Sequence, residues 1–177
     1  LIGTGTAIDS ARLQNMIAQT VNVDPRSVHA YSMGEHGDSQ MVPWSTVTIA
    51  GKPFYDVIAD NKELVGDVDL DELVYRTTQE GWEIFNRKGT TYYGIATACV
   101  GVIKAILNDE NRIIPVSTLL EGEYGERNVY AGVPTVLNRS GAYDVLEIHM
   151  TPGELARFKE STRVIREYTD RIMKLNL

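Results

Sequence analysis

Counting forward from Asp9, the apolar residues Leu13, Met16, Ile17 and Val21 recur at helical spacing and predict a first helix from Thr6 to Val21. Val28 to Met33 alternates like a strand. Thr46 to Ile49, followed by Ala50-Gly51-Lys52-Pro53, predicts a strand or hairpin with a glycine turn. A second helical period, carried by Leu70, Leu73, Val74, Trp82, Ile84 and Phe85, predicts a helix over 69–86, with a break at Gly89. Thr91 to Leu107 is apolar nearly all round, the pattern of a helix in the interior. Ile113–Leu120, Val129–Leu137 and Ala142–Ile148 read as strands, the last two joined by the turn Asn138-Arg139-Ser140-Gly141. Thr151-Pro152-Gly153-Glu154 combines a capping Thr, a Pro at the first helical position and a Glu three residues after the cap. Leu155, Phe158, Thr162, Ile165, Thr169 and Ile172 follow at spacings of three and four, predicting one long amphipathic helix to the end of the chain. Clustered strands and helices without regular alternation point to an α+β fold, antiparallel strands packed with long helices.

Composition narrows the function classes. No repeat, low-complexity tract or linker divides the 177 residues, so residues 1–177 are expected to form one domain. Asp and Glu number 24 against 17 Lys and Arg, a net charge of −7, and no basic cluster offers a surface to nucleic acid or an anionic membrane. No apolar run is long enough to span a bilayer and no signal peptide opens the chain, so a soluble protein is expected. The single Cys99 cannot form an internal disulfide, which favours a reducing compartment. Leu1-Ile2-Gly3-Thr4-Gly5-Thr6, with no Met before it, reads as a strand end entering a loop, as in a fragment of a longer chain.

Two features break the hydrophobic pattern. Asp9 and Arg12 sit at the head of the first helix on its core side, where an unpaired charge costs several kcal/mol, so they must be paired or solvated in a cleft. By themselves they read as a structural ion pair or a capping carboxylate. Gly34-Glu35-His36-Gly37-Asp38 follows a predicted strand, and its flanking glycines let the backbone turn sharply and present His36. That loop alone reads as a solvated turn, and a metal site on His36 and Asp38 lacks a third ligand at a recognised spacing, so no metal is expected. Together, however, Asp9, Arg12 and His36 supply a carboxylate to orient an imidazole, an imidazole for proton transfer, and a guanidinium to clamp a substrate carboxylate.

Other candidates carry less. Gly3-Thr4-Gly5 has Ile8 where a dinucleotide loop needs its third glycine, and almost no strand before it. Tyr92 and Tyr93 read as core or interface aromatics. Ser39 and Ser45 lie near His36 without a glycine-flanked nucleophile motif, which leaves a serine hydrolase a poor second.

Three segments carry a resemblance. Ile2-Gly3-Thr4-Gly5-Thr6-Ala7-Ile8-Asp9-Ser10-Ala11-Arg12, the Gly34–Asp38 loop with Trp44-Ser45 after it, and Lys88-Gly89-Thr90-Thr91-Tyr92-Tyr93-Gly94-Ile95-Ala96 resemble, in order and spacing, three signatures of the L-lactate and L-malate dehydrogenase family. The likeness runs from residue 1 to the final helix and covers only the C-terminal, substrate-binding half of such an enzyme. It implies that the N-terminal Rossmann domain, which binds NAD, lies outside this chain. It further implies that His36 donates and accepts the proton at the substrate C2 oxygen, that Asp9 stabilises the His36 imidazolium and that Arg12 clamps the substrate carboxylate. Thr91 would line the substrate pocket, and Ile95 would pack against the nicotinamide ring.

The resemblance is nearest to bacterial NAD-dependent L-lactate dehydrogenases, cytoplasmic homotetramers or dimers that interconvert pyruvate and L-lactate in fermentation. Thr91 leans the same way, because malate enzymes often carry a smaller residue there. Members activated by fructose 1,6-bisphosphate bind it with a His seven residues before the catalytic His and an Arg two residues after the clamping Arg. His29 matches the first position as a weak allosteric candidate, but the second is Gln14, and losing that guanidinium weakens a phosphate site. Gln14, with Asp24-Pro25-Arg26-Ser27-Val28 and Ser39-Gln40, keeps an L-2-hydroxyisocaproate dehydrogenase open as the alternative, alongside L-malate dehydrogenase. In a different class stands an isolated assembly module, inactive without its cofactor domain.

Overall fold

Helix α1 (Gly5–Val21) is the element around which the rest is arranged. The computed structural model describes residues 1–175. On the inner stripe of α1, Leu13, Ile17 and Ala18 are buried, and the helix packs against α4 (Leu70–Lys88), α5 (Tyr92–Leu107) and the strands β4 (Arg112–Glu121) and β5 (Arg127–Asn138). It stops at Asn22, whose left-handed backbone (φ 56°) returns its N–H to the Ala18 carbonyl.

Two antiparallel sheets flank this helix. The smaller joins β1 (Val28–His29), β2 (Thr48–Ile49) and β3 (Lys52–Pro53), and two short helices, α2 (Phe54–Asp60) and α3 (Lys62–Val65), follow it. The larger joins β4, β5 and β6 (Gly141–Val145) in chain order, with Val116 opposite Val133 and Ser117 opposite Gly132. Gly3 adds a bridge to Ser117, its N–H donating at 2.9 Å and its carbonyl accepting at 2.8 Å, which places the start of α1 over the middle of that sheet.

Three apolar clusters fill the layers. One stacks Trp44 on Phe54, centroids 5.7 Å apart, against Leu13 and Ile17 of α1. A second packs Met33, Leu120, Val133 and Tyr124 around Phe158 of α6 (Pro152–Leu175). A third joins Val102 and Ala105 of α5 to Val116 and Leu137. α6 begins as its sequence predicts: the Thr151 N–H donates to Glu154 at 2.8 Å, and the Glu154 N–H donates to the Thr151 hydroxyl at 3.3 Å, a reciprocal capping box.

The α+β architecture and the three longest helices agree with the sequence pattern, and three expectations need correction. Only Val28 and His29 of the strand predicted over 28–33 pair continuously, because Ser32 turns into side-chain bonds and Met33 makes a single bridge to Met41. The last strand ends at Val145 rather than at Ile148, where Tyr124 takes over: its hydroxyl donates to the Leu146 carbonyl and accepts the Ile148 N–H. Helix α5 is not interior. Only Val102 and Ala105 are buried along it, and Val100, Ile103 and Leu107 are half exposed or more. Its apolar character on all sides therefore exceeds what this chain covers. Tyr92 and Tyr93 are likewise outside the core, with the Lys88 ammonium 4.6 Å from each ring centroid. The residues of the C-terminal tail beyond Leu175, included in the predicted last helix, lie outside the described residues.

Among the described residues no helix is long and apolar enough to cross a membrane. Phe158 is fully buried, its ring 4.9 Å from that of Tyr124, so Phe158→Ala is expected to cost about 3–5 kcal/mol. Urea denaturation checks this: the midpoint should fall with the slope unchanged.

Candidate active site

The α1 sequence places Asp9 one turn before Leu13 on the buried stripe, and the side chain is 3% exposed. A carboxylate removed from water this far is costly unless its oxygens are paired and hydrogen-bonded. Both have a donor. Oδ2 lies 2.5 Å from His36 Nδ1, and Oδ1 accepts from Arg12 Nη1 at 3.1 Å, one turn further along the same helix. The capping reading of Asp9 is thereby excluded, since Thr4 occupies the helix N-cap; the ion-pair reading holds but is incomplete, because the same carboxylate also holds an imidazole.

His36 reaches Asp9 because the backbone passes unusually close. Gly5 lies directly beneath the ring, and a Cβ at that position would overlap the imidazole. A carboxylate accepts rather than donates, so Nδ1 carries the proton in this pair and Nε2 remains as the exchanging nitrogen. The hydrogen bond that His36 donates to Asp9 raises the His36 pKa above its ordinary 6.5; burial and the Arg12 charge oppose that rise, while Asp9 and Glu35 add to it through their charges.

These groups line a cleft of about 650 Å3 between α1, the 35–40 loop, α4 and α5. Arg12 lies across it against Gly81 of α4, where a Cβ would stand 3.2 Å from Nη1. Thr91, at the N-cap of α5, and Ile95, one turn in, line the same cleft, so five of the six residues singled out in the sequence meet. His29 does not: it is exposed on β1, outside the cleft, and Gln14 donates to the Ala30 carbonyl at 3.0 Å.

Sequence reasoning missed the wall contributed by α4. Thr78, Gly81, Trp82 and Phe85 recur at the period of one helix face, and that periodicity was the available signal. It also missed the place of Gln40, noted only for its bearing on substrate, in the cleft wall. The Gln40 amide donates to Thr78 Oγ1 at 2.5 Å and its carbonyl accepts from Ser32 Oγ at 2.8 Å, while the Ser32 N–H donates to Ser10 Oγ, also at 2.8 Å. This chain of bonds ties α1, the loop and α4 together around the cleft.

A hydrolytic arrangement is absent among the described residues. The Ser39 hydroxyl donates to Glu35 and that of Ser45 to Glu154, so neither is paired with the His36 ring. Nor do the described residues hold any group of three or more His, Cys, Asp or Glu arranged to bind a metal ion. What the cleft offers is one buried anion between an imidazole and a guanidinium, suited to transfer a proton while gripping an anionic substrate.

Asp9→Asn should lower the His36 pKa, readable from the imidazole carbon-bound proton in an NMR titration. The sign for stability follows: a raised folded-state pKa contributes stability that is full below about 6.5 and is lost as pH rises through the folded value. Asp9→Asn should flatten that part of the pH–stability curve.

Comparison with known proteins places the fold in a family. Residues 6–175 match the family model for the lactate/malate dehydrogenase alpha/beta C-terminal domain. The chain is 49% identical over 168 residues to L-lactate dehydrogenase 3 of Bacillus cereus, covering 95% of this chain and 53% of that protein. It is 44% identical over 173 residues to L-lactate dehydrogenase 1 of Bifidobacterium longum subsp. longum, covering 98% of this chain and 55% of that protein. A crystal structure of a minor L-lactate dehydrogenase from Enterococcus mundtii, in its ligands-bound form, superposes with a TM-score of 0.91 at 39% identity, over 97% of this chain and 55% of that one. The chain thus spans about half the length of the relatives it matches. With its fold, its order of motifs and this match over nearly every residue, the chain belongs to the lactate/malate dehydrogenase family, as that family's alpha/beta C-terminal domain.

Proposed function

We propose that this chain is the substrate-binding and acid–base half of an NAD-dependent L-lactate dehydrogenase that interconverts pyruvate and L-lactate. The observation that carries the reading is the single Asp9 carboxylate held between His36 and Arg12 in the cleft that Thr91 and Ile95 line. Arg12 binds the substrate carboxylate through its remaining guanidinium donors. His36 gives a proton from Nε2 to the C2 oxygen on reduction and takes it back on oxidation. Asp9 stabilises the charged imidazole and keeps its tautomer. Burial of Asp9 strengthens both contacts, since fixed charges act more strongly where water is excluded.

Ile95 is half-buried in the cleft wall beside Thr91, an apolar surface that fits one face of a nicotinamide ring. NAD, when bound, supplies or takes the hydride at C2. The dinucleotide itself would be held by a Rossmann domain outside these residues, so residues 1–177 form one domain that is inactive alone. The uncovered apolar faces of α5 and of the end of α6, where Tyr168, Ile172 and Met173 are exposed, support a homo-oligomer, dimer or tetramer. A cytoplasmic location agrees with the single unpaired Cys99. His29 as an effector-binding residue has weaker support, because Gln14 faces the Ala30 carbonyl and supplies no cation.

One observation favours a second substrate. Trp82 and Phe85 form an apolar wall with Ile8 and Ile95, which suits a longer apolar side chain, as in an L-2-hydroxyisocaproate dehydrogenase. The Gly34–Asp38 loop is a signature common to L-lactate and L-malate dehydrogenases, so L-malate dehydrogenase stands as the further alternative. Comparing kcat/KM for pyruvate, 4-methyl-2-oxopentanoate and oxaloacetate in the full-length protein decides among them, with pyruvate expected to lead.

In the same full-length protein, His36→Ala should lower kcat by about 100- to 10,000-fold. Arg12→Lys should lower kcat/KM by about 100-fold, chiefly through KM, because an ammonium cannot reproduce the two-pronged grip. Near-normal kinetics in Arg12→Lys would overturn the clamp.

A further inference from the structure

The loop that presents His36 is fastened from the far end of the chain. Its entry is held by Gly34, which exchanges two backbone bonds with Gly132 of β5 at 2.9 and 2.8 Å. The next residue, Glu35, donates its backbone N–H to Ser161 Oγ of α6 at 2.8 Å. Ser161 is fully buried and the contact spans 126 positions of sequence. Ser161 Oγ also lies 3.1 Å from Ser39 Oγ, and Ser39 donates to Glu35 Oε2 from its hydroxyl and, at 3.2 Å, from its N–H.

Proton counting sets the direction of each bond. The Ser39 hydroxyl proton is spent on the Glu35 carboxylate, so the proton between the two serines comes from Ser161, whose lone pair is left to accept the Glu35 N–H. The result is a closed ring through Glu35, Ser161 and Ser39 that grips the loop on both sides of His36. Gly34 makes room for it: at φ +88° a side chain is strained, and a Cβ there would strike Ser161 Oγ.

We propose that Ser161 is a positioning residue for His36: acting through the Glu35 backbone and Ser39, it holds the imidazole within hydrogen-bonding reach of Asp9. The proposal rests on the reading of His36 and Asp9 as the acid–base pair. The His36 side chain is 56% exposed, so solvent leaves the ring room to swing away once its loop loosens. The groups that set its charge are Asp9, Arg12 and Glu35, and of these the Asp9 bond is the strongest and the one most sensitive to distance.

The test is an NMR titration of the full-length protein and of its Ser161→Ala and Asp9→Asn variants, following the His36 signal. Ser161→Ala removes one oxygen and no carbon skeleton. It should lower the His36 pKa by about half the drop that Asp9→Asn produces. A Ser161 that merely satisfies a buried helix would lower the melting temperature and leave His36 where it was, and that result overturns the proposal. If Asp9→Asn itself leaves His36 unmoved, the acid–base reading fails and this proposal with it. Amide hydrogen exchange gives a second measurement that needs no variant: the Glu35 amide should exchange slowly, as expected of a donor to a buried hydroxyl, and rapid exchange overturns the proposal even where Ser161→Ala does not fold.

Discussion

A carboxylate buried to 3% exposure has to be accounted for before anything else in this domain. Asp9 stands on the apolar stripe of α1, and desolvating it without partners would cost several kcal/mol, a large part of the net stability of a domain this size. Its two oxygens are taken by two N–H donors from different places: Arg12 one turn along the same helix, and His36 from a loop on the other side of the cleft. The first contact follows from helix geometry. The second requires the chain to bring residue 36 back against residue 5, and the small sheet, the Gly34–Gly132 bridge and the bare backbone of Gly5 serve that approach. On the proposed reading a stability requirement and a chemical one coincide at this residue, since the pairing that offsets burial of the anion also raises the His36 pKa and holds the Arg12 guanidinium.

The surroundings of the triad show how much of the site depends on long-range packing. Gln40 links the loop to α4, a wall of the cleft, through Thr78, and Ser161 links it to α6 behind the cleft, so two long helices are tied to the segment carrying His36. By contrast, the apolar faces of α5 and of the end of α6 are tied to nothing within these residues. An apolar helix face of this size on a domain that matches about half the length of its relatives suits a surface made for further protein.

Much of this was legible in the sequence where the signal is local. Hydrophobic period located α1, α4, α5 and α6 to within a residue or two, and the Thr151–Glu154 cap predicted its own hydrogen bonds. Charges out of place on an apolar stripe, with a His between glycines, single out Asp9, Arg12 and His36 from the sequence. What stayed hidden was non-local. The pairing of β4 with β5, the roles of Gln40 and Ser161, and the aromatic wall of Trp82 and Phe85 depend on which faces meet, and composition does not state that. The burial of α5 was misread for the same reason: an all-apolar helix signals an apolar environment without saying which chain provides it.

On the proposed reading, Asp9 holds His36 in the protonated form that reduction of a 2-oxoacid consumes. The pH dependence of kcat/KM for the reductive reaction, measured in the full-length protein and its Asp9→Asn variant, tests it most directly. The rate is expected to fall as pH rises through the elevated His36 pKa, with the falling limb displaced to lower pH by Asp9→Asn. A limb that stays at the same pH in both proteins would contradict it.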